Sequence, residues 1–196
     1  PGKSITDFIP LFYGSYGYTF TKTGVYAILV SFGDVEADTL RIEIKNPTTD
    51  QEKAASQLML KNKVGLFLQV DGAETLTEAR NILNTVAEQF GESVHADYAR
   101  SSLSAYYAKK GRDFKNKRVR QPKFDKAESF LSSVVEKSMP LYFTMKNYAS
   151  AVKIYSGLNN RQKANTYMRK LEKIYVPEMI NRKIINDAQK DIESIQ

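Results

Sequence analysis

Thr77-Glu78-Ala79-Arg80-Asn81-Ile82-Leu83, Asp125-Lys126-Ala127-Glu128-Ser129-Phe130-Leu131 and Gln162-Lys163-Ala164-Asn165-Thr166-Tyr167-Met168 are three copies of one pattern in this 196-residue chain. In each copy a small Ala is followed at +3 and +4 by large apolar side chains, and at +7 by Val86, Val134 or Leu171. That spacing puts the apolar residues on one helical stripe, and the Ala lets a second helix approach closely. Thirteen residues after the Ala, Pro140 and Pro177 stand in the second and third copies, while the first has Glu92 followed by Ser93, a helix-capping residue. Pro at a helix start wastes no hydrogen bond, because that N–H has no intrahelical partner. Each unit is therefore expected to be helix, tight turn, helix. The second helices read 93–110, 140–156 and 177–195, with Gly111 and Gly157 as the C-caps of the first two.

The three copies resemble a tetratricopeptide array, a stack of helix pairs with a small residue and aromatic positions inside each pair. Their Ala residues are spaced 48 and 37 residues apart, where the family period is about 34. The Trp and Leu-Gly of the family signature are missing, so the resemblance is to the divergent end of the family. It covers residues 75–196, and three pairs is the smallest number at which such stacks normally hold together. Arrays of this kind bind partners along the face lined by each pair's first helix. By register, the resemblance implies partner-binding positions at Arg80, Asn81, Asn84, Glu128, Lys163 and Tyr167. The last helix carries an apolar stripe at Ile180, Ile184, Ile185, Ala188, Ile192 and Ile195, expected to be the buried face of a terminal cap.

Residues 1–46 follow a different period. In 25–32 the set Tyr26, Ile28, Val30 and Phe32 shares one face, and in 40–45 Leu40, Ile42 and Ile44 alternate with Arg41, Glu43 and Lys45. The polar link 33–39 is short, which predicts an antiparallel hairpin with both apolar sets inward. The aromatic, glycine-punctuated stretch 9–20 offers a further strand; packing explains its tyrosines better than stacking on a sugar or peptide. Lys22-x-Gly24-x-Tyr26-x-Ile28 resembles the tyrosine corner of immunoglobulin-like sandwiches. On that resemblance 9–46 are the last strands of a sandwich whose earlier strands precede Pro1. Asn46-Pro47 closes the sheet, since Pro cannot donate to a ladder. Thr49 or Asp50 caps a helix through Leu60 with Ala54, Ala55 and Leu58 inward. The apolar run 64–70, closed by Asp71-Gly72, fits a strand and a buried helical turn equally well.

The net charge of +7 has one source. Lys109, Lys110, Arg112, Lys115, Lys117, Arg118, Arg120 and Lys123 face a single acid, Asp113, within 109–123, and the remainder of the chain balances at 21 basic and 21 acidic residues. This segment also holds the extra length between the first and second copies. A solvated loop is the plain reading. Binding of nucleic acid, of an acidic partner or of a membrane surface is the sharper one, with Phe114 and Phe124 the only aromatics beside it.

The chemistry of catalysis has little to stand on. The chain has no Cys and one His, so disulfides, thiolate nucleophiles and sulfur-ligated metals are excluded, and a His-rich metal site is too. His95 has Ser93 and Asp97 two residues away on either side, a spacing that does not face it on a helix, so it reads as a helix-surface residue. Asp34, Glu36 and Asp38 alternate in the hairpin link, where charged turns are far commoner than calcium sites. No phosphate-cradling Gly-x-x-x-x-Gly-Lys occurs, and no stretch approaches the roughly 20 apolar residues of a membrane span.

The expected fold class is α+β, mainly α. A partial immunoglobulin-like β region occupies 1–47, a linker helix and a short apolar segment 48–74, and a helical repeat array 75–196, interrupted by the basic insert 109–123. The expected function is a non-catalytic protein–protein scaffold without cofactor or metal, with a protein or peptide as partner. Its resemblances suggest the C-terminal part of a larger exported bacterial protein in the periplasm or at the cell surface. The alternatives are nucleic-acid or acidic-partner binding through 109–123, and the accessory tail of an upstream enzyme.

Overall fold

A computed structural model describes residues 11–61, 63–174 and 183–195, and over these the chain is α+β and mainly α. The helices are α1 (Asp50–Met59), α2 (Val64–Val70), α3 (Thr77–Gln89), α4 (Val94–Ala108), α5 (Phe124–Leu131), α6 (Leu141–Gly157), α7 (Arg161–Ile174) and α8 (Lys183–Glu193). The described strands form four antiparallel pairs: β1 (Tyr13–Gly14) with β2 (Gly17–Tyr18), β3 (Gly24–Ile28) with β6 (Leu40–Ile44), β4 (Ser31–Phe32) with β5 (Val35–Glu36), and β7 (Gly111–Asp113) with β8 (Arg118–Arg120).

Local signals set the helix ends. Thr49 caps α1 by accepting the Glu52 N–H at 3.1 Å, and buried Ser93 caps α4 by accepting the Ala96 N–H at 3.2 Å. The ambiguous run 64–70 is helical, held between left-handed residues Lys63 (φ 59°) and Asp71 (φ 52°). Gly111 and Gly157 are close-approach positions, not the C-caps expected of them. Gly111 lies in β7, where a Cβ would sit 1.9 Å from the Glu74 carboxylate, and a Cβ on Gly157 would sit 2.2 Å from the Phe124 ring. The left-handed turn after α6 falls on Asn159, at φ 54°.

The helical repeat positions do what their spacing requires. Ala79, Ala127 and Ala164 are essentially fully buried, as are Leu83, Leu131, Val86, Val134 and Leu171, and Met168 is nearly so. The +3 residues Ile82, Phe130 and Tyr167 are only half-buried. Successive helices pack as neighbours, α3 on α4, α5 on α6 and α7 on α8, and α4 also meets α5 and α6. Under α8, Ala188 closes a cluster with Met145, Val152, Met168 and Leu171. Pro177 and Ile180, assigned above to the last helix, lie outside the described residues. The main core does not begin at 75: Ala55, Met59, Val64 and Phe67 belong to it, because α1 and α2 both pack on α3 and α4.

The β region is thinner. In the ribbon Tyr26 pairs with Ile42 and Gly24 with Ile44, so Tyr26, Ile28, Ile42 and Ile44 share one half-buried face. Leu40 and Val30, expected inward, are 58% and 55% exposed. The alternation breaks between β3 and β4, where the Ala37 N–H reaches the Val30 carbonyl, and no helix packs extensively on the far end of the ribbon. The side chain of Phe32 is outside the described ones, as is Ile9. What ties the β region down is the small β1–β2 hairpin. The Tyr13 ring lies over Gly65, where a Cβ would approach it to 2.1 Å, and the Tyr18 hydroxyl donates to the Met59 carbonyl. Burial pushes the Tyr18 phenol up to about 12.

Candidate functional site

The six positions chosen by register fall into two groups. Glu128, Lys163 and Tyr167 come together: the Lys163 ammonium is 3.4 Å from the Glu128 carboxylate and 4.6 Å from the centre of the Tyr155 ring, which stacks on Tyr167 at 5.7 Å. Lys170 extends the row, lying 5.1 Å from the Tyr167 centroid and 2.6 Å from Glu136. Burial, then the Glu136 carboxylate, raises the Tyr167 phenol well above its ordinary range. Arg80 and Asn84 form the second group. Arg80 donates to the Tyr106 hydroxyl at 2.7 Å, and the Asn84 amide donates to the Arg80 carbonyl at 2.8 Å. Asn81 is exposed. No hydrogen bond or ion pair among the described residues joins the two groups. The sequence reading passed over the second-helix tyrosines that organise both. Tyr148 and Tyr155, seven residues apart on one helical face, and the Tyr106-Tyr107 doublet were the available signals.

The basic segment is a β-hairpin with a fixed base and an open tip. Arg120 donates to Glu74 at 2.7 Å and to the Tyr106 carbonyl at 2.8 Å, with its guanidinium 4.1 Å from the Tyr106 ring centre. Lys109 donates to the Val70 carbonyl at 2.9 Å, and burial pulls its ammonium below the usual lysine range. These two cations belong to the body. Lys110, Arg112, Lys115, Lys117, Arg118 and Lys123 are exposed. Asp113 shapes the tip by accepting the Asn116 N–H at 3.1 Å and its side-chain amide at 2.7 Å, bonds that hold its carboxyl below the usual range.

A cleft of about 1010 Å³ opens where the β region meets α1, α4 and α6. Phe12, Tyr18, Phe20, Tyr98 and Phe143 give it an aromatic lining, with Lys22, Lys53 and Asn46 among its polar groups. Tyr98 and Phe143 meet edge to face at 4.8 Å. His95 is here too, its Nε2 3.3 Å from Glu52, whose other oxygen accepts the Val94 N–H at 2.9 Å. Burial outweighs the Glu52 charge and lowers the imidazole below its ordinary value, so near neutral pH the contact is that of a neutral ring, not of an ion pair. The pair orients His95 without presenting a nucleophile beside it. Asp34, Glu36 and Asp38 do not gather into a metal-binding group, and among the described residues no three His, Asp or Glu side chains do. The arrangement is suited to holding a chain by its side chains: apolar and aromatic surface for burial, and lysines at the edge for polar or acidic groups.

Compared with protein-family models, with curated proteins and with solved structures, the chain matches none.

Proposed function

We propose that this chain is a non-catalytic protein-interaction module, in which the cleft between the β region and the helices receives an extended segment of a partner protein. The observation that carries the reading is the cleft itself, about 1010 Å³ and lined by five aromatic residues drawn from both regions. Aromatic rings supply large contact areas at small entropic cost, which is why they dominate protein-binding surfaces. The tetratricopeptide-like reading of α3 to α8 is supported by Ala79, Ala127 and Ala164 at helix contacts. The immunoglobulin-like reading of the ribbon is supported by the Tyr26 hydroxyl, which donates to the Lys22 carbonyl at 2.8 Å as a tyrosine corner does. A periplasmic or cell-surface setting follows from that pairing of modules and belongs to the same proposal.

The test is selection of peptides from a displayed random library on the immobilised chain, followed by titration of the selected peptides against Phe20→Ser and Tyr98→Ser. Both side chains are partly exposed, so both variants should keep the far-UV circular dichroism of the parent. Each loses an aromatic contact, for which a drop of about tenfold or more in affinity is expected. Peptides that bind tightly yet ignore both substitutions would place the binding surface elsewhere and end this reading.

A further inference from the structure

The β7–β8 hairpin carries features that a solvated turn does not need. Its base is locked on both strands, by Gly111 seated against Glu74 and by Arg120 bonded to Glu74 and Tyr106. Beyond that base no other element packs extensively on it. Its tip exposes Phe114 at 82%, and lower down, in β8 beside the base, Val119 is 58% exposed and pairs in register with Arg112. Around them stand Lys110, Arg112, Lys115, Lys117 and Arg118, all exposed, with Arg118 opposite Asp113, the one acid of the hairpin. A short two-stranded stem thus carries one exposed aromatic ring at its apex, with cations on both strands and in the turn.

We infer that the 111–120 hairpin is a peripheral membrane-docking element, which inserts Phe114 at the interface of an anionic phospholipid bilayer while its exposed lysines and arginines meet the headgroup phosphates. Each Lys or Arg held near an anionic leaflet adds to binding, and one inserted aromatic ring adds a term that salt does not screen. The rival anionic surfaces fit less well. Single-stranded nucleic acid wants a basic groove with successive aromatic platforms. Here the aromatic is single and at a tip, since Phe124 is half-buried in the core and pressed against Gly157. An acidic protein surface would account for the cations and leave Phe114 unexplained. None of the described helices is long and apolar enough to cross a membrane.

The chain has no Trp, so Phe114→Trp places a single fluorescent reporter at the apex of the otherwise intact protein. Vesicles of phosphatidylcholine made anionic with about one phosphatidylglycerol in three are titrated in physiological salt, where an anionic leaflet still attracts Lys and Arg. The expected result is a blue-shifted emission, quenched when brominated acyl chains are used, and absent with pure phosphatidylcholine or with a single-stranded oligonucleotide. Lys115→Gln with Lys117→Gln should weaken partitioning by roughly five-fold per lysine. Phe114→Ser should weaken it further and leave the remainder wholly salt-sensitive. Association with no shift and no quenching, association indifferent to Phe114→Ser, or a tighter complex with the oligonucleotide would each overturn the inference. All three substituted residues, Phe114, Lys115 and Lys117, are exposed, so unchanged circular dichroism separates loss of binding from loss of fold.

Discussion

Ser102, Ser104 and Ser156 are buried, and their hydroxyls have no hydrogen-bond partner among the described residues. Nearby, Ser101 solves the same problem by donating to the Asn147 side chain at 2.6 Å. A desolvated hydroxyl without a partner costs stability, and Ser→Ala removes that cost while leaving only a small void where the oxygen stood. Ser102→Ala should therefore be neutral or stabilising by up to about 1 kcal/mol, whereas Ser101→Ala, which strips Asn147 of its donor, should destabilise by about 1–2 kcal/mol; urea melts of the two variants separate them. His95 gives a second residue-scale expectation. Its pKa is lower folded than unfolded, because burial disfavours the imidazolium more than Glu52 favours it. The unfolded chain then binds the extra proton first. Stability from this group is complete above the ordinary histidine value of about 6.5 and falls as pH drops from there toward the folded value. His95→Gln should flatten that part of the pH–stability profile; an equal acid loss in the variant would assign it to the carboxylates.

At the scale of elements, the helical repeat was legible because its signal is dense. An Ala with apolar residues at +3, +4 and +7 repeats three times, and a helix that buries such a stripe has few alternatives. Ala127 sits at 0% exposure between α5 and its neighbours, so Ala127→Arg forces both volume and a charge into a closed contact and should cost about 3–5 kcal/mol. A melting temperature within a degree or two of the parent would show that the register is misread. The elements that escaped were those defined by partners far away in sequence. Whether 64–70 is helix or strand depended on left-handed residues at Lys63 and Asp71, which composition does not announce. Lys109 and Arg120 looked like the rest of the basic run, yet they are fixed by Val70, Glu74 and Tyr106, and nothing local to 109–123 distinguishes them. The cleft was hidden for the same reason: its aromatic lining is gathered from three separate stretches of chain, around 12–20, 98 and 143. Excising 112–118 in favour of a short turn should spare the fold, while Arg120→Ala, which takes the cation from the half-buried Glu74 and leaves it the Tyr106 hydroxyl, should cost about 2–4 kcal/mol.

Across the whole molecule the decisive question is where the cooperative unit starts. None of the residues 11–46 is fully buried among those whose side chains are described, and a two-stranded ribbon is marginal by itself in water. By contrast, Ala55, Val64 and Phe67 are wholly buried, and the Phe67 ring meets that of Tyr106 in α4 at 5.4 Å. The helices before residue 75 thus cover the face of α3 and α4 that a stack beginning at 75 would leave open to water. Two fragments follow from this. A 48–196 chain keeps Thr49 as the cap of α1 and the core from Ala55 onward; among the described contacts it loses Tyr13 over Gly65 and the Tyr18 hydroxyl's bonds to the backbone of Met59 and Gly65. It should stay helical, unfold in one transition and melt a few degrees below the parent. A 75–196 chain exposes apolar surface on α3 and α4 and loses Phe67, whose truncation to Ala alone should cost about 3–5 kcal/mol. That is a large share of the 5–15 kcal/mol that holds a typical domain. The shorter fragment is therefore expected to bind a hydrophobic dye and to lose its sharp melt. If instead both fragments melt alike, α1 and α2 are a dispensable linker, and the helical unit begins at α3.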